Sequence, residues 1–166
     1  MTRPPRQGGL VLQLQSHGAM MNRIEREWPR PLGPGTRASP ITIAEVMTHA
    51  PHTIGRAQKL SEAHDLMRQH HVRHLPVMDD DKLVGLLSQR DLYFVEALGV
   101  GDQLVDKVFV AMACEVYQVA PGDLLSDVAR EMAVHKYGCA VVVDRRRVVG
   151  IFTAIDALAL LAKASA

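Results

Sequence analysis

The chain has 166 residues, room for one domain or for two small subdomains sharing a core, and 48% of them are hydrophobic while 4% are aromatic. Its net charge of +1 divides into +4 over residues 1–40, where six arginines face Glu25 and Glu27, and −3 over the rest, which is not the footprint of a dedicated nucleic-acid binder. No apolar run approaches the roughly 18–20 residues that cross a bilayer, and two cysteines without CxxC spacing give neither a disulfide framework nor a zinc ribbon.

Residues 1–40 hold six of the nine prolines and five glycines and close with PRPLGPGTRASP. Such a stretch buries too little apolar surface to offset its ordering entropy, so it reads as a flexible arm. Within it, Leu10 to Trp28 could form a helix with Met20, Met21, Ile24 and Trp28 as its apolar stripe. Alone that helix is marginal. The tandem Met20-Met21 leaves a later start open, and no secretory signal leads the chain, so a soluble cytoplasmic protein is expected.

From Ile41 onward the chain repeats itself. A shift of 65 residues, without gaps, aligns 46–97 with 111–162 and gives 11 identities in 52 pairs, where chance supplies roughly three. Met47/Met112, Leu60/Leu125, Met67/Met132, His70/His135, Gly85/Gly150 and Asp91/Asp156 are among them. A doubled unit is the first thing this pattern predicts.

In chain order, each copy opens with a short strand around Ile54 or Val119. LSEAHDLMRQHH and LSDVAREMAVHK follow, with Leu60, Ala63, Met67 and Leu125, Val128, Met132 at helical spacing. Ser61 and Ser126 are the expected N-caps. Two strands then meet across a polar turn: HLPVM and KLVGLL across Asp79, Asp80 and Asp81, CAVVV and RVVGIF across Asp144, Arg145 and Arg146. A second helix follows Ser88 or Thr153. The fold class is α/β in the two-layer α+β sense, with a β-α-β-β-α order written twice.

The junction from strand to second helix reads Gly, two apolar residues, Ser or Thr, two variable residues, Asp: Gly85, Ser88, Asp91 and Gly150, Thr153, Asp156. A helix start offers bare N–H groups and a favourable dipole to an anion. The hydroxyl can meet a phosphate oxygen, and the carboxylate one turn on can accept both hydroxyls of a ribose. Gly85 and Gly150 would let a ligand approach the strand closely. The same residues also make an ordinary helix N-cap with an acidic first turn, so a purely structural role stays open at each occurrence.

VMTHAPHTI and HLPVMDDDKLVGLLSQRDL in the first copy, with AMACEVYQV and CAVVVDRRRVVGIFTAIDAL in the second, resemble the tandem cystathionine-β-synthase (CBS) domain pair, or Bateman module, from about Ile41 to Ala162. The resemblance implies repeats at 41–99 and 100–166, packed through their sheets about a pseudo-twofold axis, and homodimerisation. It further implies clefts for AMP, ADP, ATP or S-adenosylmethionine, a regulatory rather than catalytic role, and a regulated partner protein. Carried over, Asp91 and Asp156 hold ribose and Ser88 and Thr153 face phosphate. The adenine lies on Thr48, Pro51, His74 and Leu75 in site one, and on Val116, Cys139 and Ala140 in site two. The second copy has Ala113 for Thr48 and Ile155 for Arg90, so site two is the less suited to a charged nucleotide.

Remaining candidates are weaker. Six histidines lie between His49 and His74, but His70 recurs as His135 on an apolar helix face, as a satisfied histidine would, and no metal site is assigned. Cys114 and Cys139 occupy the positions of His49 and His74, which leaves a thiol pair or soft-metal site as an alternative to vacant dimerisation or nucleotide sensing. Arg145, Arg146 and Arg147 read as a solvated turn. No GxSxG, HExxH or Walker pattern occurs, so no catalytic residue is assigned.

Overall fold

The computed structural model describes residues 40–97 and 107–164. The expected arm, Pro40 apart, and its helix between Leu10 and Trp28 lie outside the described residues.

A 3-10 turn at Ile43–Glu45 leads into β1 (Thr48–His49), and β2 (Ile54–Gly55), α1 (Leu60–His70), β3 (His74–Asp79), β4 (Lys82–Ser88) and α2 (Gln89–Ala97) complete the first copy. The second copy runs α3 (Val108–Ala111), β5 (Gln118–Val119), α4 (Leu125–His135), β6 (Cys139–Asp144), β7 (Arg147–Thr153) and α5 (Ala154–Ala164). Each copy is thus a β-α-β-β-α unit, and the fold is the two-layer α+β one expected. One sheet is ordered β2-β3-β4 and the other β1-β7-β6-β5. Both have a parallel first pair, an antiparallel hairpin, and a register shift at the same place, Val77/Met78 and Val142/Val143. Strands β4 and β7 touch, so the repeats meet through their sheets.

The helices form where apolar spacing predicts. Leu60, Ala63 and Met67 of α1 and Val128 and Met132 of α4 are buried against their sheets. Both helices end on a left-handed residue, His71 (φ 53°) and Lys136 (φ 59°). Their starts differ from expectation. Ser61 and Ser126 lie inside the helices, and the N-caps are Lys59 and Leu124. These two residues are held extended by bridges to Lys107 and Thr42, which fixes the first turn two residues earlier than a serine cap would.

Those bridges belong to an exchange between the copies. The Ile43 N–H donates to the Asp123 carbonyl (2.9 Å) and the Val108 N–H to the Gln58 carbonyl (3.0 Å), two contacts related by the 65-residue offset. Ile43 is wholly buried in the second core and Val108 in the first. Burial of each contributes roughly 1.5–3 kcal/mol, so neither repeat completes its core from its own residues. Strand β1 then pairs antiparallel with β7, Thr48 opposite Ile151, while Leu86 and Ala113 exchange two backbone hydrogen bonds of 2.9 Å. Each leading segment crosses to the other sheet.

Candidate helix-start sites

At the end of β4 the chain turns directly into α2, and at the end of β7 into α5, so both junctions present a helix N-terminus. Asp91 Oδ2 accepts hydrogen bonds from the Ser88 N–H (2.9 Å) and Oγ–H (2.6 Å), and the Asp91 N–H approaches Ser88 Oγ at 3.3 Å. Asp156 Oδ2 does the same with the Thr153 N–H (2.8 Å) and Oγ1–H (2.7 Å), with 3.2 Å on the return bond. One carboxylate oxygen caps the helix in each copy. The other, Oδ1, accepts no hydrogen bond from any described residue, and all four side chains are half-buried. The arrangement leaves a charged acceptor beside a helix N-terminus, the chemistry that suits a hydroxyl-bearing anion.

The sequence-predicted wall residues divide into three groups. His74 lies directly opposite Ser88 and Cys139 directly opposite Thr153, so both do stand at a helix start. His74 also reaches the other repeat: a Cβ on Gly138 would lie 2.8 Å from its Nε2. Burial, assisted by Arg73 and Arg90, holds the His74 imidazole below its ordinary pKa, and Asp91 opposes that shift. Leu75 and Ala140 are wholly buried members of the two cores, so their side chains form no open wall. Arg90 is exposed, in the first turn of α2.

Thr48 stands on the other repeat's sheet. Pairing opposite Ile151 brings it to β7, which ends at Thr153 and leads into the helix of Asp156, and Ala113 correspondingly lies beside Leu86, two residues before Ser88. Each helix start is thus approached by the leading segment of the opposite copy. Pro51 lies further along, where the Ala50 N–H donates to the Val149 carbonyl and Pro51, Met78 and Val148 wall a cavity of about 470 Å3. Val116 is half-buried, three residues past Ala113.

The glycines have a packing role beside the expected ligand approach. A Cβ on Gly85 would lie 2.6 Å from Met112 Sδ and 3.0 Å from the Ala113 carbonyl oxygen, and one on Gly150 would run into the Met47 side chain. The missing side chain makes room for the opposite repeat. Met47 and Met112 were legible as a repeated pair, but their partners emerge only once the exchange is known.

The structure leaves the two thiols unpaired. Cys114 is exposed beside the first sheet while Cys139 is buried in the second, and both are free. Burial pushes the Cys139 thiol up to about 12, which keeps it from acting as a thiolate ligand or nucleophile. The histidines engage neighbours: His70 stacks on His52 at 3.7 Å, and His135 stacks on Tyr137 at 5.2 Å and meets Glu131 at 3.2 Å. Among the described residues no three His, Cys, Asp or Glu side chains gather as a metal site, and no helix is long and apolar enough to cross a membrane.

Comparison with known proteins follows the same outline. The family model described as CBS domain matches residues 43–97 and again 105–163. The CBS domain-containing protein YhcV of Bacillus subtilis is 30% identical over 110 residues, 66% of this chain and 78% of that protein. L-aspartate semialdehyde sulfurtransferase of Methanocaldococcus jannaschii is 31% identical over 121 residues, but this chain spans only 23% of it. Among solved structures, the CBS domain pair of protein MJ0100 in complex with 5′-methylthioadenosine and S-adenosyl-L-methionine superposes with a TM-score of 0.67 at 26% identity, over 73% of this chain and 99% of that one. CBSX2 in complex with AMP gives 0.67 at 24% identity, over 75% and 98%, and shows a shared fold.

Proposed function

The chain belongs to the CBS domain family, as two copies in tandem, and from that premise we propose that it is a regulatory module sensing an adenosine-containing ligand without catalysis of its own. The ligand class is AMP, ADP, ATP or S-adenosylmethionine. In this reading Asp91 and Asp156 receive ribose hydroxyls on the oxygen that does not cap the helix. Ser88, Thr153 and the first-turn N–H groups meet the phosphate or its substitute. His74 and Cys139 stand beside them, with Thr48 serving the Asp156 site.

The observation that carries the proposal is the duplicated carboxylate whose Oδ2 is committed to the helix and whose Oδ1 accepts no hydrogen bond from a described residue. The adenosine class draws support from MJ0100, whose complex holds two adenosine compounds. Exposed apolar side chains on the second helices, Tyr93 and Phe94 on α2 and Ile155 and Leu158 on α5, suit a homodimer interface. A partner protein would read the ligand in the cytoplasm through two states of differing affinity.

A second reading has its own observation. Each aspartate already caps a helix and each glycine already houses a methionine, so the repeated motif also suits a dimerisation module with vacant clefts. Thermal unfolding of the purified chain against AMP, ADP, ATP and S-adenosylmethionine separates the two. Saturation at about 100 times Kd adds roughly 2.7 kcal/mol, about 5–10 °C for a domain of this size. A shift abolished by Asp91→Ala or Asp156→Ala supports sensing and identifies the cleft. No shift with any of the four supports the vacant module.

A further inference from the structure

The two hairpin turns converge on a cavity of about 660 Å3, lined by turn residues of both repeats and by Arg56. It lies away from the helix starts. In each hairpin the turn is at one end of the ladder (Asp79 opposite Lys82, Asp144 opposite Arg147) and the helix start at the other (His74 opposite Ser88, Cys139 opposite Thr153). Five residue steps along a strand separate those ends by roughly 17 Å.

The turns are pseudo-equivalent but opposite in charge. Asp80 and Asp81 in the first repeat are replaced by Arg145 and Arg146 in the second, with Lys82 and Arg147 flanking. One ion pair forms at this cavity among the described residues, Arg56 with Asp79 at 3.0 Å, within the first repeat. Arg145, Arg146, Arg147 and Lys82 have no carboxylate within ion-pair distance among the described residues, although Asp80 and Asp81 line the same space. Arg145 and Arg146 also both hold left-handed backbone, φ 46° and 69°. A two-residue turn of that hand prefers Asn-Gly, and two long β-carbon-bearing cations run against the preference. Local preference yields where a site needs the side chains.

We propose that this cavity binds a polyphosphate chain, separately from the helix-start clefts. Guanidinium groups grip phosphate oxygens in bidentate fashion, and three in succession with a lysine opposite match several linked phosphates better than one. The volume falls in the range of small-molecule sites and exceeds what a single oxyanion fills. Asp80 and Asp81 would repel a bare anion, but they offer hard oxygens to the magnesium ion that a polyphosphate carries.

The test is titration calorimetry of the 166-residue chain with inorganic tripolyphosphate in magnesium-containing buffer at fixed ionic strength. Arg145→Asn with Arg146→Gly removes the charge and supplies the dipeptide the turn favours; Arg145→Gln with Arg146→Gln removes it without changing flexibility. The expected result is saturable binding to the unaltered chain, weakened at least tenfold in both double variants. The thermal response to AMP, whatever it is in the unaltered chain, stays the same in them. Absence of tripolyphosphate binding overturns the proposal, and so does equal affinity in the unaltered chain and both variants. Loss of binding in Asp91→Ala or Asp156→Ala, with the turn variants unaffected, also overturns it by moving the anion to a helix start.

Discussion

The sulfur of Met112 lies 2.6 Å from where a β-carbon on Gly85 would stand, and Met47 occupies the same place over Gly150. Four residues that repeat at a spacing of 65 therefore interlock in pairs, each methionine from one copy seated on the glycine of the other. The doubled fold is closed by this reciprocal contact together with Ile43 and Val108 in the exchanged cores.

Alanine at either glycine should then destabilise by about 1–3 kcal/mol through overpacking. The two positions should respond differently to relief. Around Gly150 the nearest atoms all belong to the flexible Met47 side chain, whereas Gly85 also faces the fixed Ala113 carbonyl at 3.0 Å. A double-mutant cycle in urea should give strong coupling for Gly150→Ala with Met47→Ala, and weaker coupling for Gly85→Ala with Met112→Ala. Equal coupling at both would mean that the carbonyl is no obstacle.

Much of this architecture was legible in the sequence because it rests on local pattern. The offset of 65, the helical spacing of Leu60, Ala63 and Met67, and the apolar runs of β3 and β6 each predict their element. Ser88 opposite His74 also follows from a tight hairpin. The exchange of leading segments was not legible. Thr48 and Ala113 look local to their own repeats, and no local pattern says that a two-residue strand pairs 103 residues downstream, Thr48 with Ile151. That gap explains why Thr48 stands on the other repeat's sheet and why the N-caps are Lys59 and Leu124 instead of Ser61 and Ser126. It also explains why the methionines over Gly85 and Gly150 were not foreseen, since a cleared space looks the same in sequence whatever fills it.

The helix starts give a second prediction. Asp91→Ala removes both bonds to Ser88 and should cost about 0.5–2 kcal/mol, the usual loss of an N-terminal cap. Asp91→Asn keeps an acceptor oxygen for the Ser88 N–H and should cost less. The same order should hold for Asp156 with Thr153. Urea midpoints at constant m-value measure it, and an alanine variant as stable as the unaltered chain would remove the capping role.

The thiols should separate cleanly. Cys114 is exposed, whereas Cys139 is buried with its thiol pushed up to about 12, so the native thiolate fraction at Cys139 is negligible near neutrality. N-ethylmaleimide at pH 7.5 should add once to the native chain, at Cys114, and twice after unfolding in urea. Intact-mass and peptide mapping read this directly. An intramolecular disulfide formed under a mild oxidant would contradict the burial that keeps Cys139 from exposed Cys114.

His74 sets an acid limit on stability. Its folded-state pKa lies below the ordinary value, chiefly because burial disfavours the charged ring, with Arg73 and Arg90 adding to the effect and Asp91 working against it. An unfolded histidine takes up a proton near pH 6.5, while the folded one resists. The unfolded state therefore binds more protons between that value and the lower folded pKa, and stability falls as pH drops through the interval. The contribution is fully present above the unfolded pKa. His74→Gln should flatten the loss of Tm between pH 7.5 and 5, and Asp91→Asn should steepen it, because the one charge that favours the imidazolium is gone. The comparison of slopes matters more than any single Tm, since capping at Asp91 shifts all its values together. If His74→Gln leaves the slope unchanged, the acid sensitivity belongs to another group and the strand-start end of the first repeat is better hydrated than its burial implies.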